Sequence, residues 1–394
     1  MLAIVLILLV VVAGLSIVQL MRAVPLPTVA SILPSASVVP GAPVSLPYPP
    51  NGEAEVDLPG VGVIGASGGS SPVQIASVAK IMTALLIVKD HPLSLGASGP
   101  TLTISQSDYQ TYLQQSAAID SVTSVLPGET LTEYQMLEGL LIPSADNYAS
   151  VLATWDSGSE SNFVSKMNQM ANSLGLKSTH YTDPSGLDPK TVSNPRDQIL
   201  LGEMLESNPV LAQIVAMPQV TLPVAGTVYN VNYDLGTSGI DGIKTGSTPA
   251  GGSLVFDAQG TVAGRTRSIV GAVLDQQSGQ PLVTALSYGA KLAAVAPSVV
   301  KLSKIVSKGQ QVAEIDTADG VKLPVFASKD IYALAWPGLS ESISVTSTLR
   351  RLTSGAGTSV VRLVVKVGEQ SFSEAGYIST PLKAPTLKWR LTRL

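Results

Sequence analysis

The sequence predicts an α+β protein: an antiparallel sheet carrying a helical cluster, then a small all-β domain, with a transmembrane helix in front. Three observations lead there. Strand-like stretches stand both before and after a long block of helical periodicity. After Pro297 the texture changes to short strands between turns. Leu2 to Met21 is twenty residues without a charge, enough to span a bilayer.

The N-terminal span has no convincing small-x-small cleavage site, so an uncleaved anchor is favoured over a cleaved signal. Arg22 just after the span would put the bulk of the chain in the cytoplasm by the positive-inside rule, a vote of one residue. Residues 22–52 carry eight prolines between Arg22 and Pro50 and read as an extended, semi-rigid spacer. A first domain is expected over 53–297 and a β-rich domain over 298–394.

Within the first domain, Glu53 to Gly68 alternates and gives the first strand or two. Ser77 to Val88 (SVAKIMTALLIV) has apolar residues at helical spacing and reads as a buried helix. TLTIS from Thr101 is strand-like, and a polar helix follows. Thr130 and Glu133 have capping-box spacing before a helix that Pro143 ends. Tyr148 onward resumes helical periodicity, so Ser144 to Asn147 form a tight junction between two helices. Phe163–Leu174, Asp197–Leu205 and Pro209–Ala216 read as helices, and 220–232 as a hairpin. Gly239–Ser247 reads as a strand, with glycines that let a ligand approach the backbone. Two more strands and a helix over 282–296 close the domain. His180 to Asp188 is an irregular loop, with His180 a loop anchor. His91 lies in a Pro-flanked turn.

Composition excludes several functions. The formal charge is −4 with no basic block, so nucleic-acid binding is not expected. Cysteine is absent and there are two histidines, so thiol catalysis and a metal site are not expected, and no cofactor is indicated. Charged residues are 13% of the chain, against a usual value of about 25%. A sparsely charged surface suits an exported protein in an acidic medium.

The chemistry centres on Ser77-Val78-Ala79-Lys80. Three residues apart, Ser77 and Lys80 share one face of a helical turn. An amine held there could take the serine proton and make the hydroxyl a nucleophile. The alternative is a solvated pair on a core helix, and Ser298-Val299-Val300-Lys301 fits the same pattern. Partners decide between them. Ser144-x-Asp146 and Lys244-Thr245-Gly246 follow, on the expected junction and strand, and the three motifs together are specific.

In these motifs the chain resembles the serine D-alanyl-D-alanine carboxypeptidases, the low-molecular-mass penicillin-binding proteins. The likeness extends to ASVAKIMTALLIV, GETLTEYQMLEGLLIPSADNYASVLA, FVSKMNQMANSLGLKSTHYTDPSGLDP and GIDGIKTGST, roughly residues 60 to 290. It implies that Ser77 attacks the penultimate D-alanine of a peptidoglycan stem peptide ending in D-Ala-D-Ala, with Lys80 as general base and Ser144 as proton relay. It implies an oxyanion hole from the N–H groups of Ser77 and Ser247, carboxylate binding by Lys244 and Thr245, β-lactams as inhibitors, and an extracytoplasmic domain on the cell membrane. Asp146, Asn147 and Gly246 complete the substrate contacts. One departure stands out: the third position of the second motif is usually asparagine, and here it is Asp146 with Asn147 beside it. Asp146 is expected to stay in the cleft, protonated or tightly paired with a lysine, with Asn147 not replacing it. Two other readings compete: a non-catalytic penicillin- or cell-wall-binding sensor, and a β-lactamase using Glu160 of Glu160-Ser161-Asn162.

Overall fold

A computed structural model describes residues 2–249 and 251–393. The chain divides into two compact units: Val44–Val300, and the residues up to Pro43 together with those from Lys301 onward.

The larger unit is built on a five-stranded antiparallel sheet. Its strands are β1 (Glu53–Leu58), β2 (Gly62–Ser67), β3 (Lys244–Ser247), β4 (Gly252–Val262) and β5 (Arg265–Gln276), in the spatial order β3-β4-β5-β1-β2. The helices, numbered along the chain after the N-terminal α1 (Leu2–Met21), are α2 (Lys80–Asp90), α3 (Gln106–Ala117), α4 (Glu133–Leu141), α5 (Asp146–Ser157), α6 (Glu160–Ser173), α7 (Pro195–Glu206), α8 (Pro209–Val215) and α9 (Pro281–Val299). Strands from both ends of this unit close one sheet around a helical block, the arrangement the sequence pattern predicts.

At the centre of the cluster is α2, whose residues Lys80 to Val88 are all buried. A helix apolar nearly all round belongs inside a protein. It packs in one core with α4, α5 and α7 through Ile81, Leu85, Leu137, Tyr148 and Leu201. Helix α9 is also long and apolar enough to cross a membrane by composition. It lies instead on the sheet, where a side chain at Gly289 would collide with Leu254.

Two local expectations are corrected. The capping box sits two residues later than predicted, at Thr132 and Gln135. Thr130–Thr132 pairs with Thr101–Thr103 as a two-stranded ladder, so the helix starts only after that strand ends. The 22–52 segment is not a free spacer throughout. Thr28–Ser31 pairs with Gln311–Asp316, and Ser37–Val38 with Ser340–Ser347. Both stretches lack proline and lie at sheet edges, where flanking prolines do no harm.

In the smaller unit those strands flank a seven-stranded antiparallel sheet. Its inner strands are Gln311–Asp316, Lys322–Ala327, Gln370–Ile378, Ser359–Val367 and Ser340–Ser347. Helix α1 belongs to this unit, its apolar side chains exposed all round. The last carbonyls of a helix have no intrahelical donor. Here Arg390 of the short helix α10 (Leu387–Thr392) and Arg393 just after it supply donors: Arg390 bonds Leu20 O, and Arg393 bonds Gln19 O and, just past α1, the carbonyls of Arg22 and Ala23.

The larger unit buries carboxyl groups away from cations. Burial pushes Glu133 and Glu138 up to about 7, and burial with the Asp275 charge does the same to Glu53. Glu206 is raised to about 8 by burial, with Asp257 and Asp241 adding to it, and Asp257 to about 7 by burial and Asp241. In an unfolded chain such groups titrate near 4. The folded state therefore binds more protons between about pH 4 and pH 8, and stability falls as pH rises through that window. Asp156 runs the other way. Burial would raise it, but bonds from Lys166, Ser157 and His91 hold it below the usual range, which costs stability only in stronger acid. The expected outcome is a higher thermal midpoint at pH 5.5 than at pH 8.5 by scanning calorimetry. Glu206→Gln is expected to narrow that difference; an unchanged difference contradicts the assignment.

Candidate active site

Ser77 lies in a short 3₁₀ turn, Ala76–Ala79, that leads directly into α2. Lys80 is the first residue of the helix proper. Its side chain is fully buried, and its Nζ donates to Ser77 Oγ at 2.8 Å. The turn is sharp: Ala76 has φ 49°, a left-handed conformation that non-glycine residues rarely adopt.

Two glycines make room for that turn. A Cβ at Gly246 on β3 would lie 2.5 Å from Ile75 O and 3.2 Å from Ala76 Cβ. A Cβ at Gly186 would collide with the Ala76 carbonyl. Gly246 was expected to admit a ligand. The space where its Cβ would stand is filled by the Ser77 turn, so the glycine also allows close packing of β3 against Ile75 and Ala76.

Lys244 lies on the same face of β3 as Gly246, because side chains alternate along a strand. It is buried, and burial pushes its ammonium well down, the Lys80 charge adding to this and Asp146 opposing it. Thr245 is buried, while Ser247 is exposed on the cleft.

The second motif arrives from the α4–α5 junction. Ser144 has φ 66° and is buried, and its hydroxyl has no hydrogen-bond partner among the described residues. Asp146 opens α5, and its Oδ1 lies 2.5 Å from Lys80 Nζ. This is the tight lysine pairing expected for it. Asn147 faces elsewhere. Its amide oxygen accepts from Thr123 N at 3.0 Å, and its amide nitrogen donates to Thr123 O at 2.9 Å. One residue along a helix turns a side chain by about 100°. Asn147 therefore anchors a neighbouring loop rather than lining the cleft.

Ser77, Asp146 and Ser247 line a cleft of about 680 Å³, with Ile119, Asp120, Leu187 and Thr248 on its walls. Two parts of this wall were not identified from sequence. The 183–187 loop is gathered by Asp183, whose Oδ2 accepts from the N–H groups of Ser185, Gly186 and Leu187 and from Ser185 Oγ. Its Ser185 carbonyl accepts from Lys80 Nζ at 3.3 Å. The Asp-Pro-Ser-Gly run signals such a side-chain-centred turn, but not where it docks. Asp120 also lines the cleft. Burial, and then the Asp146 charge, raise its carboxyl above the usual range, while Lys80 opposes them.

Other candidates fall away from the cleft. Ser298 ends α9 and donates to Val295 O, whereas Lys301 begins a strand of the other unit. Glu160 is exposed on the first turn of α6. His180 holds its loop by a backbone bridge to Val192, and His91 stacks on Trp155. No group of metal-ligating side chains occurs among the described residues.

A serine held by a buried lysine between a sheet edge and a helical cluster defines the class of lysine-assisted serine acyl-transfer proteins. The profile of the D-alanyl-D-alanine carboxypeptidases, peptidase family S11, matches residues 56–278. The chain belongs to this family. It is 32% identical over 221 residues to the D-alanyl-D-alanine carboxypeptidase DacB2 of Mycobacterium tuberculosis, covering 54% of this chain and 66% of that protein. It is 31% identical over 220 residues to the D-alanyl-D-alanine carboxypeptidase of Streptomyces sp. (strain K15), covering 51% of this chain and 72% of that one. The crystal structure of the Streptomyces K15 DD-transpeptidase superposes with a TM-score of 0.56 at 26% identity, over 64% of this chain and 99% of that chain. Penicillin-binding protein 5 of Haemophilus influenzae superposes at 0.62 over 86% of this chain and 99% of that chain, and its 20% identity makes this a likeness of fold.

The close approach at Gly246 carries a testable consequence. Gly246→Ala is expected to displace β3 from the Ser77 turn and slow acylation by a fluorescent penicillin about a hundredfold, since a misplacement near 1 Å can cost that much. Gly279→Ala, at a position with open space and no left-handed backbone, is the control for handling. Equal rates in wild type and Gly246→Ala contradict the packing role.

Proposed function

We propose that the protein is a serine D-alanyl-D-alanine carboxypeptidase that removes the terminal D-alanine from peptidoglycan stem peptides through an acyl-enzyme on Ser77. The observation that supports this best is the 2.8 Å contact between Lys80 Nζ and Ser77 Oγ, beside a strand that presents a buried lysine.

In this reading the substrate lies along β3 with its terminal carboxylate at Lys244 and Thr245. A free carboxylate favours a cation and a hydroxyl, and its arrival stabilises the ammonium form that burial disfavours. Ser77 attacks the penultimate carbonyl as its proton passes to Lys80. The N–H groups of Ser77 and Ser247 hold the oxyanion. Ser144, whose hydroxyl is unpartnered, passes a proton to the departing D-alanine. Water then resolves the ester.

Asp146 changes one step. An amine acts as base only with its lone pair free. In this reading Asp146, 2.5 Å from Lys80 Nζ, takes up the proton that Lys80 must give up before it can accept from Ser77.

The smaller unit and α1 suit an enzyme held at the cell membrane and facing the wall, with β-lactams as dipeptide mimics that trap the same ester. The sensor reading predicts binding without turnover.

The test is release of D-alanine from a D-Ala-D-Ala peptide, with intact-mass analysis after penicillin treatment. Wild type is expected to release D-alanine and to carry one adduct at Ser77, both lost in Ser77→Ala. An adduct without any release favours the sensor. Protease added to spheroplasts is expected to digest the unit; protection until lysis overturns the outward orientation. Asp146→Asn is expected to keep or raise turnover at neutral pH and to flatten an acidic optimum. An unchanged pH profile shows that Asp146 does not share the Lys80 proton.

A further inference from the structure

Not every charged side chain at the cleft has a partner among the described residues. Lys80 and Asp146 pair with each other. Lys244, buried at the β3 wall, awaits the substrate carboxylate on the reading above. Asp120 has no such match. It is half-buried, lines the same cleft as Ser77, and its carboxylate has no hydrogen-bond or ion-pair partner among the described residues.

Asp120 is held in place. Its N–H donates to Gln115 O at 3.0 Å, and those of Ala118 and Ile119 donate to Gln114 O and Ser116 O at the end of α3. On the other side, Ser121 O accepts from Asp146 N at 2.7 Å. Asn147 then fixes Thr123 through both backbone groups. The second catalytic motif thus grips the segment just after Asp120. Ile119, at φ 65°, is a left-handed β-branched residue, a conformation that needs such restraint.

Aliphatic side chains share the cleft with Asp120. Ile119 is 92% exposed and Leu187 42% exposed, and both line the cleft. A carboxylate flanked by exposed aliphatic side chains suits a ligand with an alkyl stem and a cationic tip. The stem covers the aliphatic surface while the tip reaches the carboxylate. The cleft is also roomier than a dipeptide needs, at about 680 Å³, in the range of sites that enclose larger ligands.

We propose that Asp120, with Ile119 and Leu187, forms a subsite for a primary ammonium on the side chain of the residue just upstream of the D-Ala-D-Ala pair. The proposal rests on the carboxypeptidase reading and names a substrate feature that reading leaves open. The substrate it selects carries an anion at its C-terminus for Lys244 and a cation upstream for Asp120. A peptide whose side-chain amine is already acylated lacks the cation and is a poorer substrate. The enzyme therefore distinguishes stem peptides with a free side-chain amine from those in which that amine is joined to an acyl group. Asp120 acts in selection and does not touch the reacting atoms.

The experiment uses the full chain and two peptides, Nα-acetyl-Lys-D-Ala-D-Ala and its Nα,Nε-diacetyl analogue. Wild type is expected to favour the free amine roughly five- to tenfold in kcat/KM, less at high salt, as befits a partly exposed ion pair. Asp120→Asn is expected to bring the ratio to about one, and Asp120→Glu to restore part of it. A wild-type ratio of one, or an equal loss on both peptides in Asp120→Asn, overturns the subsite. If wild type releases D-alanine from neither peptide, the carboxypeptidase reading fails separately. Acylation of Ser77 by an aminopenicillin and by benzylpenicillin then decides the subsite. A preference for the aminopenicillin that Asp120→Asn removes supports it; equal rates, or no acylation by either, overturn it.

Discussion

The site depends on one steric constraint: the Ser77 turn is held between two backbones that come too close for any side chain. Gly246 of β3 presses on Ile75 and Ala76 from one side, and Gly186 presses on the Ala76 carbonyl from the other. Ala76 adopts a left-handed conformation within this vice. Such strain persists only where the surroundings over-determine it. The same squeeze aims Ser77 Oγ at the cleft and seals Lys80 beneath it. Sheet, helical cluster and the 183–187 loop are thereby fixed relative to Ser77, by this packing together with the bonds from Lys80 to Ser185 O and from Thr83 to Pro184 O.

Within that frame the charges are arranged by exclusion of water. Lys80, Asp146 and Lys244 are all buried. Interactions among them are therefore stronger than on a surface, and an unpaired charge is costly. Lys80 and Asp146 satisfy each other, while Lys244 is left with an ammonium that burial disfavours.

The loops show how two neighbouring residues divide the work. Asp146 faces the cleft and Asn147 grips Thr123, because adjacent positions on α5 point in different directions. Asp183 performs a similar task opposite, collecting three backbone N–H groups so that Gly186 can meet Ala76. Neither Asn147 nor Asp183 needs to touch a substrate for the cleft to depend on it.

Much of this was legible in the sequence. The helix after Ser77, the junction at Ser144, the strand at Lys244 and the order of sheet and helices follow from local periodicity, breakers and motif spacing, all short-range signals. A lysine partner for Asp146 was one of two states the sequence left open, the other being a protonated carboxyl, and the structure places Lys80 beside it. What tertiary structure alone decided is long-range contact. The ladder at Thr130–Thr132 moved a helix cap by two residues, and edge pairing drew Thr28–Ser31 to a strand nearly three hundred residues away. Gly246 turned out to serve packing, because what fills the space beside a glycine is set by another segment. Asp120 carried no motif at all. Its place on the cleft depends on where α3 ends and on what Asp146 and Asn147 hold, and no local pattern encodes such a meeting of distant segments.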